Sequence, residues 1–102
     1  MAGNFRVEVD HDLGQAGAIE RIQGLVSDCM ERFSGNVTDV NEAWEGCANT
    51  FSFKAFGNTI SGTLSVMDDR IVLVAQLPLA AMFIQHKIRS VIQQQARLRL
   101  AA

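Results

Sequence analysis

The residues of this 102-residue chain whose types could do chemistry are a histidine between two aspartates, two cysteines and one tryptophan. His11 stands between Asp10 and Asp12, an order that on paper sets carboxylates beside an imidazole for acid–base work. The same triplet falls where a predicted strand enters a predicted helix. At such a junction a histidine more often forms structural hydrogen bonds, so we predict a structural role for His11.

The cysteines do not form a recognisable site. Zinc needs three or four ligands at defined spacing, and Cys29, Cys47, His11 and His86 fall in separate elements. Cys29 lies on the apolar stripe of a predicted helix, which indicates a packing role. The sequence has no nucleophile elbow, no phosphate-binding glycine loop and no CxxC pair. We therefore predict no catalytic residue, no cofactor and no metal, and we do not expect an enzyme.

Composition indicates an ordinary globular domain. Hydrophobic residues make up 48% and charged residues 20% of the chain, which is the balance of a folded protein. The net charge of -2 argues against nucleic-acid binding, which favours a basic surface. No apolar run is long enough to span a bilayer, and no secretory leader opens the chain. We predict a single cytoplasmic domain over residues 1–102 without a membrane span.

The charges are divided unevenly along the chain. All 11 acids lie in residues 1–69 with four bases, whereas residues 70–102 carry five bases and no acid. Either the two parts attract each other inside one fold, or the basic segment meets an anionic partner or surface.

Hydrophobic periodicity predicts the elements that must position these residues. They are a strand at 5–10, a helix at 13–33, strands at 37–45, 51–55, 59–66 and 71–77, and a helix from residue 79 or 80 to 100. Asp12 and Gln15 fit a capping box for the first helix. A two-residue Gly57-Asn58 turn should join the two middle strands. Pro78 should end the last strand because proline cannot donate to the ladder.

The inward residues follow from the same periods. In the strands they are Phe5, Val7, Val9, Phe51, Phe53, Ala55, Ile60, Leu64 and Val66. In the first helix they are Ala18, Ile22, Leu25, Val26, Cys29 and Phe33, and in the last helix Ala81, Ile84, Ile88, Val91, Ile92, Gln95 and Leu98. The order β-α-β-β-β-β-α predicts an α+β fold. We expect a twisted antiparallel sheet with two helices on one face, as in a reduced helix-grip arrangement.

The start of the last helix has more apolar residues than one packed face requires. An exposed contact surface is one explanation, and cover from the first helix or the N-terminal residues is the other. The candidate contact residues are Leu79, Met82, Phe83, Lys87, Arg89, Arg97 and Arg99. A homodimer would use the same helix.

Several short motifs resemble the polyhydroxyalkanoate system (granule-region) family of small bacterial proteins. They are Val7 to Gly14, Trp44-Glu45-Gly46, Phe51-Ser52-Phe53, Gly62 and Leu77-Pro78-Leu79. The resemblance covers nearly the whole chain and implies a role in forming or regulating storage granules, with the granule surface or granule-associated proteins as partners. It carries over no catalytic residues.

Two function hypotheses follow. The leading one is a non-enzymatic protein associated with polyhydroxyalkanoate granules that acts by surface contacts. The alternative is a small-molecule or lipid-binding module with an apolar pocket between the sheet and the last helix. Trp44, Phe51, Phe53 and Ile84 are the candidate pocket residues. Trp44 is otherwise predicted to anchor the core.

Overall fold

The computed structural model describes residues 2–32, 37–55, 57–78, 82–83 and 85–101. Along these residues the elements follow the order strand, two helices, four strands, helix. The strands are β1 (Ala2–Asp10), β2 (Val37–Glu45), β3 (Ala48–Ala55), β4 (Asn58–Val66) and β5 (Arg70–Pro78). The helices are α1 (Gly14–Ile22), α2 (Leu25–Glu31) and α3 (Gln85–Leu100).

The five strands form one antiparallel sheet in the order β1-β5-β4-β3-β2. The predicted α+β class is therefore confirmed. β5 lies inside the sheet between β1 and β4, which explains its apolar residues on both faces. Ile71 and Leu73 face the core, and Val72 is buried even though it points to the opposite face.

The helices pack on the sheet and on each other. α3 contacts β1, α1 and α2, while α1 contacts β4 and α2 contacts β2. The core between these layers includes Phe5, Leu64 and Ile71 from the sheet and Ile22 and Leu25 from the helices. All the strand residues predicted to point inward are buried. Burial of this apolar layer is the main stabilising contribution to the fold.

The predicted single helix over 13–33 is wrong in one respect, because the structure divides it into α1 and α2. Gln23 has an extended backbone, and Gly24 has a φ of +80°, a conformation that glycine adopts without a Cβ penalty. The Gly24 carbonyl then accepts from the Asp28 N–H at 2.9 Å. The predicted apolar stripe is buried from Ala18 to Cys29, and Phe33 lies outside the described residues.

The predicted capping box is also wrong. Helix α1 begins after Leu13 without a side-chain cap. The Gln15 N–H instead donates to Asp68 Oδ1 at 3.2 Å, and Gln15 Nε2 donates to the Val66 carbonyl at 3.0 Å. Tertiary partners from the β4–β5 turn have replaced the local cap, which the sequence spacing does not reveal.

The β3–β4 turn is displaced by one residue from its prediction. Ala55 pairs with Asn58, so Asn58 belongs to β4 and is not a residue of the turn. Gly57 has a φ of +75°, as primed hairpin turns require.

The inner face of α3 differs from the predicted stripe. Ile92, Ala96 and Leu100 are buried and Ile88 packs against the core, four residues apart along one line of the helix. Leu98 lies six residues after Ile92, which turns its side chain toward the opposite side, and it is 67% exposed. Ala81 and Ile84, from the same predicted stripe, lie outside the described residues.

Candidate contact surface on the C-terminal helix

His11 is held in place by both of its ring nitrogens. Nδ1 accepts the Leu13 N–H at 3.1 Å, and Nε2 lies 3.0 Å from the Met67 carbonyl oxygen. With Nδ1 as an acceptor, the neutral ring carries its proton on Nε2 and donates it to Met67. The side chain is 8% exposed. His11 thus joins the β1–α1 corner to the β4–β5 turn, in agreement with the structural role predicted for it.

Asp10 and Asp12 line a small depression and are not hydrogen-bonded to the ring nitrogens of His11. This depression, of about 220 Å³, is lined by Asp10, Asp12 and Arg97 together with His11, Leu13, Leu100 and Ala101. It brings the end of β1 next to the last turn of α3. Two carboxylates and a guanidinium therefore share this corner without forming an ion pair within 4.0 Å among the described residues.

The cysteines lie in contrasting places. Cys29 is buried on the inner side of α2, and Cys47 is exposed in the β2–β3 turn. Burial raises the pKa of the Cys29 thiol to about 11, against a smaller opposing effect of Arg32. A neutral, buried thiol is a poor nucleophile and a poor metal ligand. Among the described residues, no three His, Cys, Asp or Glu side chains come together as a metal site.

Two of the four candidate pocket residues pack together in the core. Phe51 and Phe53 are buried in the core with their rings stacked 6.3 Å apart. Trp44 is half-buried at the side of that core, so it is a less complete anchor than predicted. Ile84 lies outside the described residues. Neither the depression beside His11 nor the one on α3 is lined by these aromatic residues.

The sequence did not predict a polar cluster between α2 and the sheet that contains the buried Asn49, the half-buried Ser27 and the exposed Glu42. Asn49 is 1% exposed and donates from Nδ2 to Glu42 Oε1 at 2.9 Å. Ser27 donates from Oγ to Glu42 Oε2 at 2.6 Å. The cluster ties α2 to the β2–β3 edge, while Asn49 Oδ1 has no partner among the described residues. Extending the alternation of Phe51 and Phe53 by two residues would have placed Asn49 inward.

Two of the four bases predicted as contact residues in α3 are used inside the molecule. Arg89 donates to the Arg6 carbonyl at 3.2 Å and lies 5.0 Å above the Phe5 ring. Arg99 pairs with Asp28 and donates to the Gln23 carbonyl. The helix turns these two side chains toward β1 and α2, so they are engaged within the fold, and a contact role for them stays a prediction.

The other predicted contact residues differ in their exposure. Met82 packs against the core, and Leu79 lies outside the described residues. Phe83 is 78% exposed just before α3 begins. Lys87 and Arg97 are exposed, and their side chains make no ion pair or hydrogen bond with other described residues.

The exposed side chains of α3 form a surface that we call the outer face. Its members are His86, Lys87, Ser90, Gln94, Arg97 and Leu98. Ser90, Gln94, Arg97 and Leu98, together with the half-buried Gln93, line an open depression of about 450 Å³. The outer face contains bases, hydroxyl and amide groups and a leucine, but no acid. Such a surface suits contact with an anionic partner.

No helix among the described residues is long and apolar enough to cross a membrane.

The motif residues that carry the family resemblance occupy structural positions. His11 pins two turns, and Gly14 and Gly46 have φ values of +73° and +62°. Gly62 lies opposite Phe51 in the β3–β4 ladder. A Cβ at position 62 would come within 2.7 Å of the Phe51 ring and 2.4 Å of the Val74 carbonyl oxygen. Only glycine fits at position 62, so the contact of Gly62 with Phe51 is a packing requirement of the fold.

Comparison with known proteins identifies a family. No curated protein and no solved structure matches the chain. The sequence profile of one family matches residues 5–100, which includes every element from the middle of β1 to the end of α3. The chain therefore belongs to the family of putative polyhydroxyalkanoic acid system proteins.

Proposed function

We propose that this protein is a non-enzymatic, cytoplasmic component of the polyhydroxyalkanoate system that associates with storage granules through surface contacts. Family membership supplies the biological setting. The observation that carries the contact role is the outer face of α3, together with Phe83. There, two large apolar side chains are exposed beside bases that have no partner in the described part of the molecule.

The arrangement of the reactive residue types supports a role without catalysis. A general base needs a free ring nitrogen in reach of a substrate, and both nitrogens of His11 are engaged by the backbone. A nucleophilic cysteine needs a thiolate, and burial keeps Cys29 protonated. Cys47 is exposed, and no base partner for it is found among the described side chains. These side chains are better explained by the fold than by a reaction.

Co-sedimentation with granules tests the proposal. The purified protein is mixed with granules from cells that accumulate polyhydroxyalkanoate, and the bound fraction is measured after centrifugation through a density step. We expect the wild-type protein to sediment with the granules and the double variant Phe83→Ser/Leu98→Ser to bind several-fold less, because both exposed apolar side chains are lost.

Met67→Ser is the matched control. Met67 is 40% exposed in the β4–β5 turn, on a different element from the outer face, so this variant should bind like the wild type. Wild-type protein that stays in the supernatant would contradict granule association. Equal binding of all three proteins would contradict the assignment of the contact to α3.

A further inference from the structure

We infer that the outer face of α3 docks on an anionic phospholipid surface, with Lys87 and Arg97 meeting headgroup phosphates and Phe83 and Leu98 entering the acyl region. This inference rests on the proposed contact role and adds the chemistry of the partner. Three features of the outer face support it: the charges, the hydrogen-bond donors and the apolar side chains. Two acids at one end of the face oppose it in part.

The charge of the outer face selects an anionic partner. From residue 70 onward the chain contains five bases and no acid. Arg89 and Arg99 are directed inward to their own partners. Lys87 and Arg97 are left facing outward, where neither contacts a carboxylate in the described structure. Two copies of this face would repel each other, because like charges placed together are unfavourable. An anionic surface therefore fits better than a second copy.

The open depression on α3 presents hydrogen-bond donors suited to phosphate oxygens. Ser90, Gln93, Gln94 and Arg97 line it at helical spacing, with Leu98 at one side. A hydroxyl group, two amides and a guanidinium can all donate to an oxyanion, and guanidinium matches phosphate especially well. None of these side chains carries a negative charge that would exclude the headgroup.

The apolar side chains fit a fluid layer more closely than a folded protein. Phe83 precedes α3 and Leu98 lies near its C-terminal end, 15 positions later in the chain, so the two side chains are far apart. Each would need its own pocket on a folded partner. In a lipid layer, any point below the headgroups accepts an apolar side chain, and bases at the same level bind the anionic headgroups.

Two acids limit the charge at the end of the face. Asp10 and Asp12 line the smaller depression across from Arg97. Because these carboxylates share a depression with Arg97, their negative charge lies close to one of the two docking bases. They should weaken docking without preventing it, and they provide a change that is expected to strengthen the interaction.

Vesicle binding tests the inference. Protein is titrated with sedimenting vesicles of phosphatidylcholine alone or of phosphatidylcholine with phosphatidylglycerol, in low-salt buffer. Wild type should bind only the anionic vesicles. Lys87→Gln/Arg97→Gln should bind roughly thirtyfold more weakly, since each base near an anionic membrane contributes about 1 kcal/mol. Circular dichroism verifies that every variant is folded.

The first control removes the same number of positive charges from another part of the molecule. Arg32→Gln/Lys54→Gln also removes two exposed bases but leaves the outer face intact, and it should bind within about twofold of wild type because the electrostatic attraction is local. Asp12→Asn should bind more tightly than wild type. Inorganic phosphate, added at the ionic strength of a sodium chloride control, should compete no better than chloride.

Several outcomes would overturn the inference. They are equal binding to neutral and anionic vesicles, equal loss in both double variants, no gain in Asp12→Asn, or competition by phosphate beyond its ionic strength. Light scattering that showed a stable dimer through α3 would overturn it as well. If granules bind the protein while anionic vesicles do not, the lipid inference fails and the proposed function stands. If vesicles bind and granules do not, the proposed function fails.

Discussion

The two faces of α3 show how one helix gives the same residue types opposite roles. On the inner face, Arg99 is partly buried and joined to Asp28, and Ile92 is part of the core. On the outer face, Arg97 and Leu98 are exposed. Arg97 and Arg99 are only two residues apart, which on a helix corresponds to a rotation of about 200°. The helical phase, and not the residue type, separates structural bases from candidate contact bases.

Loss of an apolar side chain should give the largest difference between the two faces. Ile92→Ala should lower the free energy of unfolding by about 2–5 kcal/mol, because it leaves a cavity in the core. Leu98→Ala, on the outer face, should change it by no more than about 0.5 kcal/mol. Urea denaturation of both variants measures the difference. Similar losses in the two would mean that Leu98 is covered in solution.

The free energy of unfolding should depend on alkaline pH because of the buried Cys29 thiol in α2. The pKa of Cys29 is 9.0 when the thiol is in water and about 11 in the fold, because burial disfavours the thiolate. The unfolded chain therefore loses its proton first, and the free energy of unfolding falls as pH rises from about 9 to 11. The full decrease would be on the order of 2–3 kcal/mol.

The chain is suited to this measurement because it has no tyrosine and its only lysines are Lys54 and Lys87, so few other groups titrate in the same range. Unfolding curves at pH 8, 9 and 10 should show the decrease in wild type and in Cys47→Ala. It should be absent from Cys29→Ala. A decrease that survives in Cys29→Ala would show that another group causes it.

The sequence predicted more of the sheet than of the helices for a physical reason. Strand periodicity is exact over short runs such as Phe51 to Ala55, so each inward residue was correct. Each step along a helix rotates the side chain by 100°, so an error in the assumed inner direction grows with length. Leu98, at the far end, was assigned to the wrong side. The break at Gly24 and the partners of Gln15 depend on tertiary contacts that local patterns do not contain.

The candidate contact surface was predicted in part for the same reason. Spacing placed the bases on one helix, but it did not establish which of them the core would use. Phe83, Lys87 and Arg97 remain candidate contact residues because they are exposed, whereas Arg89 and Arg99 have partners within the fold. The polar cluster around Asn49 escaped notice because asparagine is mostly found on protein surfaces.

Removal of a charged side chain should give a smaller difference in unfolding free energy between the two faces than removal of an apolar side chain. Arg99→Gln should lower the free energy of unfolding by about 1–2 kcal/mol, because it leaves Asp28 without its cation in a partly buried place. Arg97→Gln should leave it within about 0.5 kcal/mol of wild type. Asp28→Asn completes a double-mutant cycle with Arg99→Gln. A coupling energy near zero in that cycle would show that the ion pair does not hold α3 to α2.

The smallest expected effect concerns Ser90, at the middle of the outer face. Ser90 is exposed, and its hydroxyl group makes no hydrogen bond with another described residue, so only its helix propensity should affect folding. Alanine is the better helix former by roughly 0.5 kcal/mol, and Ser90→Ala should therefore raise the free energy of unfolding by about that amount. Thermal and urea unfolding in replicate can resolve the gain. A loss of about 1 kcal/mol instead would mean that the hydroxyl has a partner in the folded protein, and the outer face could then no longer be treated as a surface that the fold leaves free for contact.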